Sequence, residues 1–166
     1  MYTSEKTDAV PLSIHVTAGV FRADTDMFVL ISYKWRTESM STTSKASQRI
    51  NALLDDNSFV EIGALVTARA TDFNMKPDET PSDGCITGYG VIHGKPVYVY
   101  SQDASVMNGS VGEMHARKIV GLYDLAMKTG SPVIGLIDSA GLRLQEATDA
   151  LNAFGTIYGK QVCASG

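Results

Sequence analysis

The stretch that most restricts the fold runs from 132 to 146: Pro132-Val133-Ile134-Gly135-Leu136-Ile137-Asp138-Ser139-Ala140-Gly141-Leu142-Arg143-Leu144-Gln145-Glu146. Its first part is apolar without alternation, the pattern of a strand covered on both faces. Four small or polar residues, 138 to 141, then turn the chain, and a helical pattern is expected from near Leu142. A strand, a tight turn and a helix start leave backbone N–H groups converging on one point. Such a point can hold a phosphate, a carboxylate or a developing oxyanion. The arrangement recurs in many folds, so it marks a place rather than a function.

A chain of 166 residues accommodates one domain with a real core. The net charge of −4 and the lack of a basic cluster argue against nucleic acid as a partner. Cys85 and Cys163 show no C-x-x-C spacing, which argues against structural zinc and reads as two buried thiols in a reducing compartment. The apolar run 27 to 31 is too short to cross a membrane, and no leader pattern precedes it. A cytoplasmic protein without a transmembrane segment is expected.

Residues 1 to 39 read differently from the rest. The runs 16 to 20 and 27 to 33 suit short strands, but no period ties them to a partner. The polar segment 39 to 44 reads as a linker, with Met40 in the position of a native start. Residues 1 to 46 are therefore read as an extension and linker, either non-native or a genuine N-terminal arm.

From Ser47 the pattern sharpens. Ile50, Leu53 and Leu54 share one face of a short helix. A strand is expected over 59 to 66 and a loop over 67 to 83. The runs 84 to 92 and 96 to 101, joined by His93-Gly94-Lys95, give a hairpin in which His93 simply occupies the turn. Ser110-Val111-Gly112-Glu113 has the capping-box spacing, so a helix is expected from Val111. Its buried stripe reads as Ala116, Ile119, Val120, Tyr123 and Met127, with Arg117, Lys118, Asp124 and Lys128 facing water. His115, in its first turn, reads as a structural histidine. Hairpin, helix, buried strand and helix together indicate an α/β domain. The chain stops without a closing element, as expected of the front part of a longer protein.

Several of these stretches together resemble the biotin-dependent acyl-CoA carboxyltransferases, the family of the β subunits of propionyl-CoA and acetyl-CoA carboxylases and the related decarboxylases. They are Gln48-Arg49-Ile50-Asn51-Ala52-Leu53-Leu54-Asp55 with Ser58-Phe59-Val60-Glu61, the run 84 to 94 with 96 to 103, the run 109 to 120, and 132 to 146. The resemblance covers about Gln48 to the end in unbroken order, and residues 1 to 39 show none. It implies a crotonase-like (ClpP/crotonase) fold, with 47 to 166 as the front part of the acyl-CoA-binding N-terminal domain. It also implies carboxylate transfer between biotin and the α-carbon of an acyl-CoA such as propionyl- or acetyl-CoA. Biotin would arrive on a carrier protein or domain, and the complete subunit would be a homo-oligomer.

Transfer next to a thioester passes through an enolate, whose oxygen is stabilised by fixed N–H donors. The family turn Asp-Ser-Gly-Gly-Ala-Arg supplies one donor, which the resemblance places at Ala140 or Gly141, beside Ser139 and Leu142. Ala140 replaces a glycine and Leu142 an alanine, which narrows the expected thioester pocket. The family loop Phe-Gly-Gly-Ser corresponds to Met107, Asn108, Gly109 and Ser110, expected to line the substrate. The second donor and the biotin-side domain would lie beyond this chain. Two other readings compete: a crotonase-type hydratase or isomerase with Glu146 as base, and a non-catalytic assembly subunit.

Overall fold

The computed structural model describes residues 29–32, 44–69 and 79–165. The strand reading for 16 to 20 and most of the linker fall outside them. Five strands form one mixed sheet: β1 (Val29–Ser32), β2 (Val60–Ile62), β3 (Cys85–Ile92), β4 (Lys95–Gln102) and β5 (Val133–Ile137), in the order β1-β5-β4-β3-β2. Among the described residues three α-helices complete it: α1 (Lys45–Leu53), α2 (Glu113–Thr129) and α3 (Ala147–Ala164).

β4 is the pivot. It pairs antiparallel with β3 across the expected hairpin and parallel with β5 on its other side. The hairpin turn is His93-Gly94, both at positive φ (49° and 78°), the geometry that matches strand twist. Asp55 closes it, its carboxylate accepting the His93 and Gly94 N–H groups at 3.1 Å each. β5 is flanked by β1 and β4, both parallel, and it packs Val133 into one core cluster and Leu136 into the other; cover on both faces accounts for its unbroken apolar run. The backbone of Val29–Ser32 thus has a partner that no periodicity in the sequence disclosed.

Alternation along β4 divides the core between two faces. Val97 and Val99 join Ile50, Leu54 and Leu136 beneath α1, while Tyr100 joins Ala116, Ile119, Leu122 and Val133 beneath α2. α3 stacks on α2 through Ala153 and Ile157. Ser44 caps α1 by accepting the Ser47 N–H at 3.2 Å, and Gly130, at φ 64°, ends α2 in the left-handed conformation.

Several expectations need correction. The strand over 59 to 66 shrinks to Val60–Ile62, and part of the loop over 67 to 83 becomes a 3₁₀ turn, Pro81–Gly84. On α2, Leu122 and Ala126 take the place of Met127, which is exposed. Lys118 is buried, because its amine reaches the carbonyls of Ser82 (3.0 Å) and Cys85. Cys85 is buried, and burial pushes its thiol up to about 12, but Cys163 is exposed. No helix among the described residues is long and apolar enough to cross a membrane.

Candidate functional site

Register places the C-terminal ends of β1, β5 and β4 at one edge, since Ser32 pairs with Ile137 and Ser101 with Leu136. In sheets of this kind, ligands bind outside the carboxyl ends of parallel strands. The loops that leave this edge after β4 and β5 contain the two segments singled out in the sequence, and the fold brings them together. The Ala140 N–H donates to the Asn108 carbonyl at 2.9 Å, and the Val111 N–H to the Gly141 carbonyl at 2.8 Å. A Cβ on Gly109, itself at φ 66°, would stand 2.1 Å from the Asp138 carbonyl oxygen. Only glycine permits that approach. Met107 and Asn108 precede it at φ 46° and 55° in the 3₁₀ turn Met107–Gly109.

The N–H groups of the turn are arranged otherwise than expected. That of Ala140 is committed to a backbone carbonyl and is not available as a donor. That of Gly141 goes to the hydroxyl of Ser139 at 3.1 Å, a side chain that is exposed. Gly141 has φ 103°, whereas Ala140 does not take positive φ, so the methyl that replaces the family's glycine is accommodated. Leu142 is half-buried and forms a single bridge with Val111 instead of starting a helix. α3 begins only at Ala147, after a 3₁₀ turn, Leu144–Glu146.

Beneath the turn lies a buried polar cluster. Arg143 is fully buried and donates to Asp83 at 2.5 Å, to Glu146 at 3.0 Å and to the Ser110 carbonyl at 2.8 Å. Glu146 also accepts the Glu113 N–H at 2.6 Å. That bond starts α2 in place of the capping box, because the Ser110 hydroxyl is turned to Arg143 Nε at 3.3 Å. Gly112, the residue before α2, leaves room for the cluster, since a Cβ there would stand 2.3 Å from Glu146 Oε1. Burial raises the Asp83 carboxyl above its usual range, against the pull of Arg143 and the His115 N–H. Glu146 is thus a structural partner and not a free base.

His115 is fully buried, as its structural reading requires. Its Nδ1 lies 2.9 Å from the Asp83 carbonyl, an acceptor only, so Nδ1 carries the proton. Nε2 then accepts from Gln102 Nε2 at 3.1 Å, and Gln102 Oε1 accepts the Asp138 N–H at 3.2 Å. Burial drives the imidazole down to about 3 and keeps it neutral. Asp83, Gln102 and Arg49 escaped the sequence reading. One sign was present for Arg49, a charged residue on the apolar stripe of α1. A separate groove of about 200 Å³ between α2 and α3 is crossed by the Arg69–Glu113 pair (2.9 Å) and by the Arg69–Asp149 pair. Its charges satisfy one another, which leaves the strand edge as the candidate site.

Residues 42–166 match the model of the carboxyl transferase domain, and the chain belongs to that family. Its fold is the crotonase-like fold of the carboxyltransferases. Over 121 residues it is 47% identical to the propionyl-CoA carboxylase beta chain of Roseobacter denitrificans, covering 73% of this chain and 24% of that protein. The β5 subunit of a biotin-dependent acetyl-/propionyl-CoA carboxylase from Mycobacterium tuberculosis is 38% identical across 99% of this chain and 31% of its own. That alignment takes in residues ahead of Gln48, so the resemblance is not confined to the part that follows. Among solved structures, transcarboxylase 12S with methylmalonyl-CoA bound has 42% identity and a TM-score of 0.66, over 70% of this chain and 23% of that one. The chain thus spans about a quarter to a third of the length of these relatives.

Proposed function

We propose that this chain forms the acyl-CoA side of a carboxyltransferase, with the turn 138–142 facing the thioester. The observation that carries the reading is the junction of the loops after β4 and β5, where Gly109 abuts Asp138 at the carboxyl edge of the sheet. In this proposal the Gly141 N–H leaves the Ser139 hydroxyl for the thioester oxygen as negative charge develops there. The exchange replaces one acceptor by another and needs no backbone movement. Met107, Asn108, Gly109 and Ser110 form the opposite wall, and Leu142 limits the acyl group to a short one.

Carboxylated biotin, carried by a separate protein or domain, supplies or accepts the carboxylate; no described residue is assigned to it. The transcarboxylase relative assembles as a hexamer, and we extend oligomeric assembly to this protein. A cytoplasmic location accords with two free thiols. The hydratase reading is disfavoured because both carboxylate oxygens of Glu146 are already engaged.

Titration of the chain with acetyl-, propionyl- and methylmalonyl-CoA, and with free CoA, tests the proposal. Saturable binding that prefers a thioester over free CoA is the expected result. No binding to any of them would leave the assembly-subunit reading. The 166 residues alone are expected to give no carboxyl transfer to or from free biotin above the uncatalysed rate.

A further inference from the structure

Arg49 lies on the inward stripe of α1 with Ala46 and Ile50, and all three are buried. A guanidinium in such a place is costly unless its donors are satisfied. Two of them span the sheet edge: Nη1 donates to the carbonyl of Gln102, the last residue of β4, at 3.1 Å, and Nη2 donates to Asp138, the first residue after β5. Nε has no partner among the described residues, so these two contacts set the orientation of the group. From the other face of the sheet, Gln102 Oε1 accepts the Asp138 N–H, with the Gln102 amide oriented by His115. Asp138 is therefore gripped from both faces, and its carbonyl is the atom against which Gly109 packs.

We propose that Arg49 is a positioning residue, which fixes the pose of the turn 138–142 by bridging the ends of β4 and β5 from the α1 face. It acts through Asp138, to which its Nη2 donates. The inference rests on the reading of the turn as the thioester site. A guanidinium fork reaches two acceptors at fixed spacing, and a lysine ammonium does not reproduce that geometry. Arg49→Lys keeps the charge and loses the bridge; Arg49→Met loses both.

The test uses the full chain titrated with methylmalonyl-CoA and with free CoA, in the parent, Arg49→Lys, Arg49→Met and Asp138→Asn. Thermal midpoints and amide exchange at 139–142 are followed alongside. If the bridge holds the turn competent, a turn competent one-tenth of the time raises the apparent Kd roughly tenfold. That loss is expected for the thioester and not for free CoA, together with faster exchange at 139–142. Arg49→Lys is expected to recover the thermal midpoint more than the thioester preference, a split that a purely structural role does not produce. Should Arg49→Met fail to fold, Arg49→Lys carries the comparison. A parent-like preference for the thioester in the folded variant overturns the positioning role while leaving the site in place. No thioester preference in the parent itself overturns the site, and the inference with it.

Discussion

Gly141 sits at φ 103° with nothing within 4 Å of where a Cβ would stand. A side chain there is therefore opposed by the backbone and not by a neighbour, at about 1–3 kcal/mol. Gly141→Val is expected to weaken thioester binding while circular dichroism stays native, and Ala140→Gly to change it little. In a complete carboxyltransferase the loss should fall on kcat more than on KM, by roughly a hundred- to thousandfold. Parent-like kcat in Gly141→Val would remove the turn from the mechanism. His115 gives a second prediction. Its folded value of about 3 lies below the unfolded 6.5, so below pH 6.5 the unfolded chain takes up a proton that the folded one refuses. The stability from its neutral burial is complete above pH 6.5 and falls by up to about 1.4 kcal/mol per unit between 6.5 and 3. Asp83, shifted upward, opposes this at the acid end. Urea midpoints from pH 8 to pH 5 should decline, and His115→Gln should flatten the decline; equal slopes in the two proteins would contradict the assignment.

Among the elements, those specified by neighbours in sequence were legible and those specified across the fold were not. The hairpin showed in the sequence because Gly94 and the flanking β-formers act within a few residues. β5 showed because both of its faces are covered, Val133 facing one core cluster and Leu136 the other, and a strand covered on both faces is apolar without alternation. α3 was expected from near Leu142, but the backbone pairing of Leu142 with Val111 and the positive φ of Gly141 and Ala147 (103° and 45°) delay it to Ala147. The capping box at Ser110 matched by spacing alone, and Arg143, 33 residues away, claims its hydroxyl. For the candidate site, the two loops that meet at the strand edge could be named from the sequence, yet the fate of each N–H could not. Ala140 loses its donor to Asn108, a contact that exists only once the two loops have met.

On the scale of the whole molecule, α3 presents an apolar face with nothing over it among the described residues. Leu151, Tyr158 and Val162, 64%, 59% and 71% exposed, follow one another at helical spacing on the side away from Ala150, Ala153 and Ile157. Exposed stripes of this kind drive association. Light scattering of the isolated chain should rise with concentration, and the pair Leu151→Lys with Val162→Glu should suppress the rise; a monomer at all concentrations would show that the stripe is innocuous. The change of strand direction at β4 has another consequence, in time. The β3–β4 hairpin needs only local contacts and forms within about 1–10 μs in isolated peptides. β5 can join β4 only after the chain from 103 to 132, α2 included, has been drawn back along the sheet, and such non-local pairings are slow. The turn proposed to face the thioester, whose walls come one from each side of that crossover, is then among the last parts of the molecule to form.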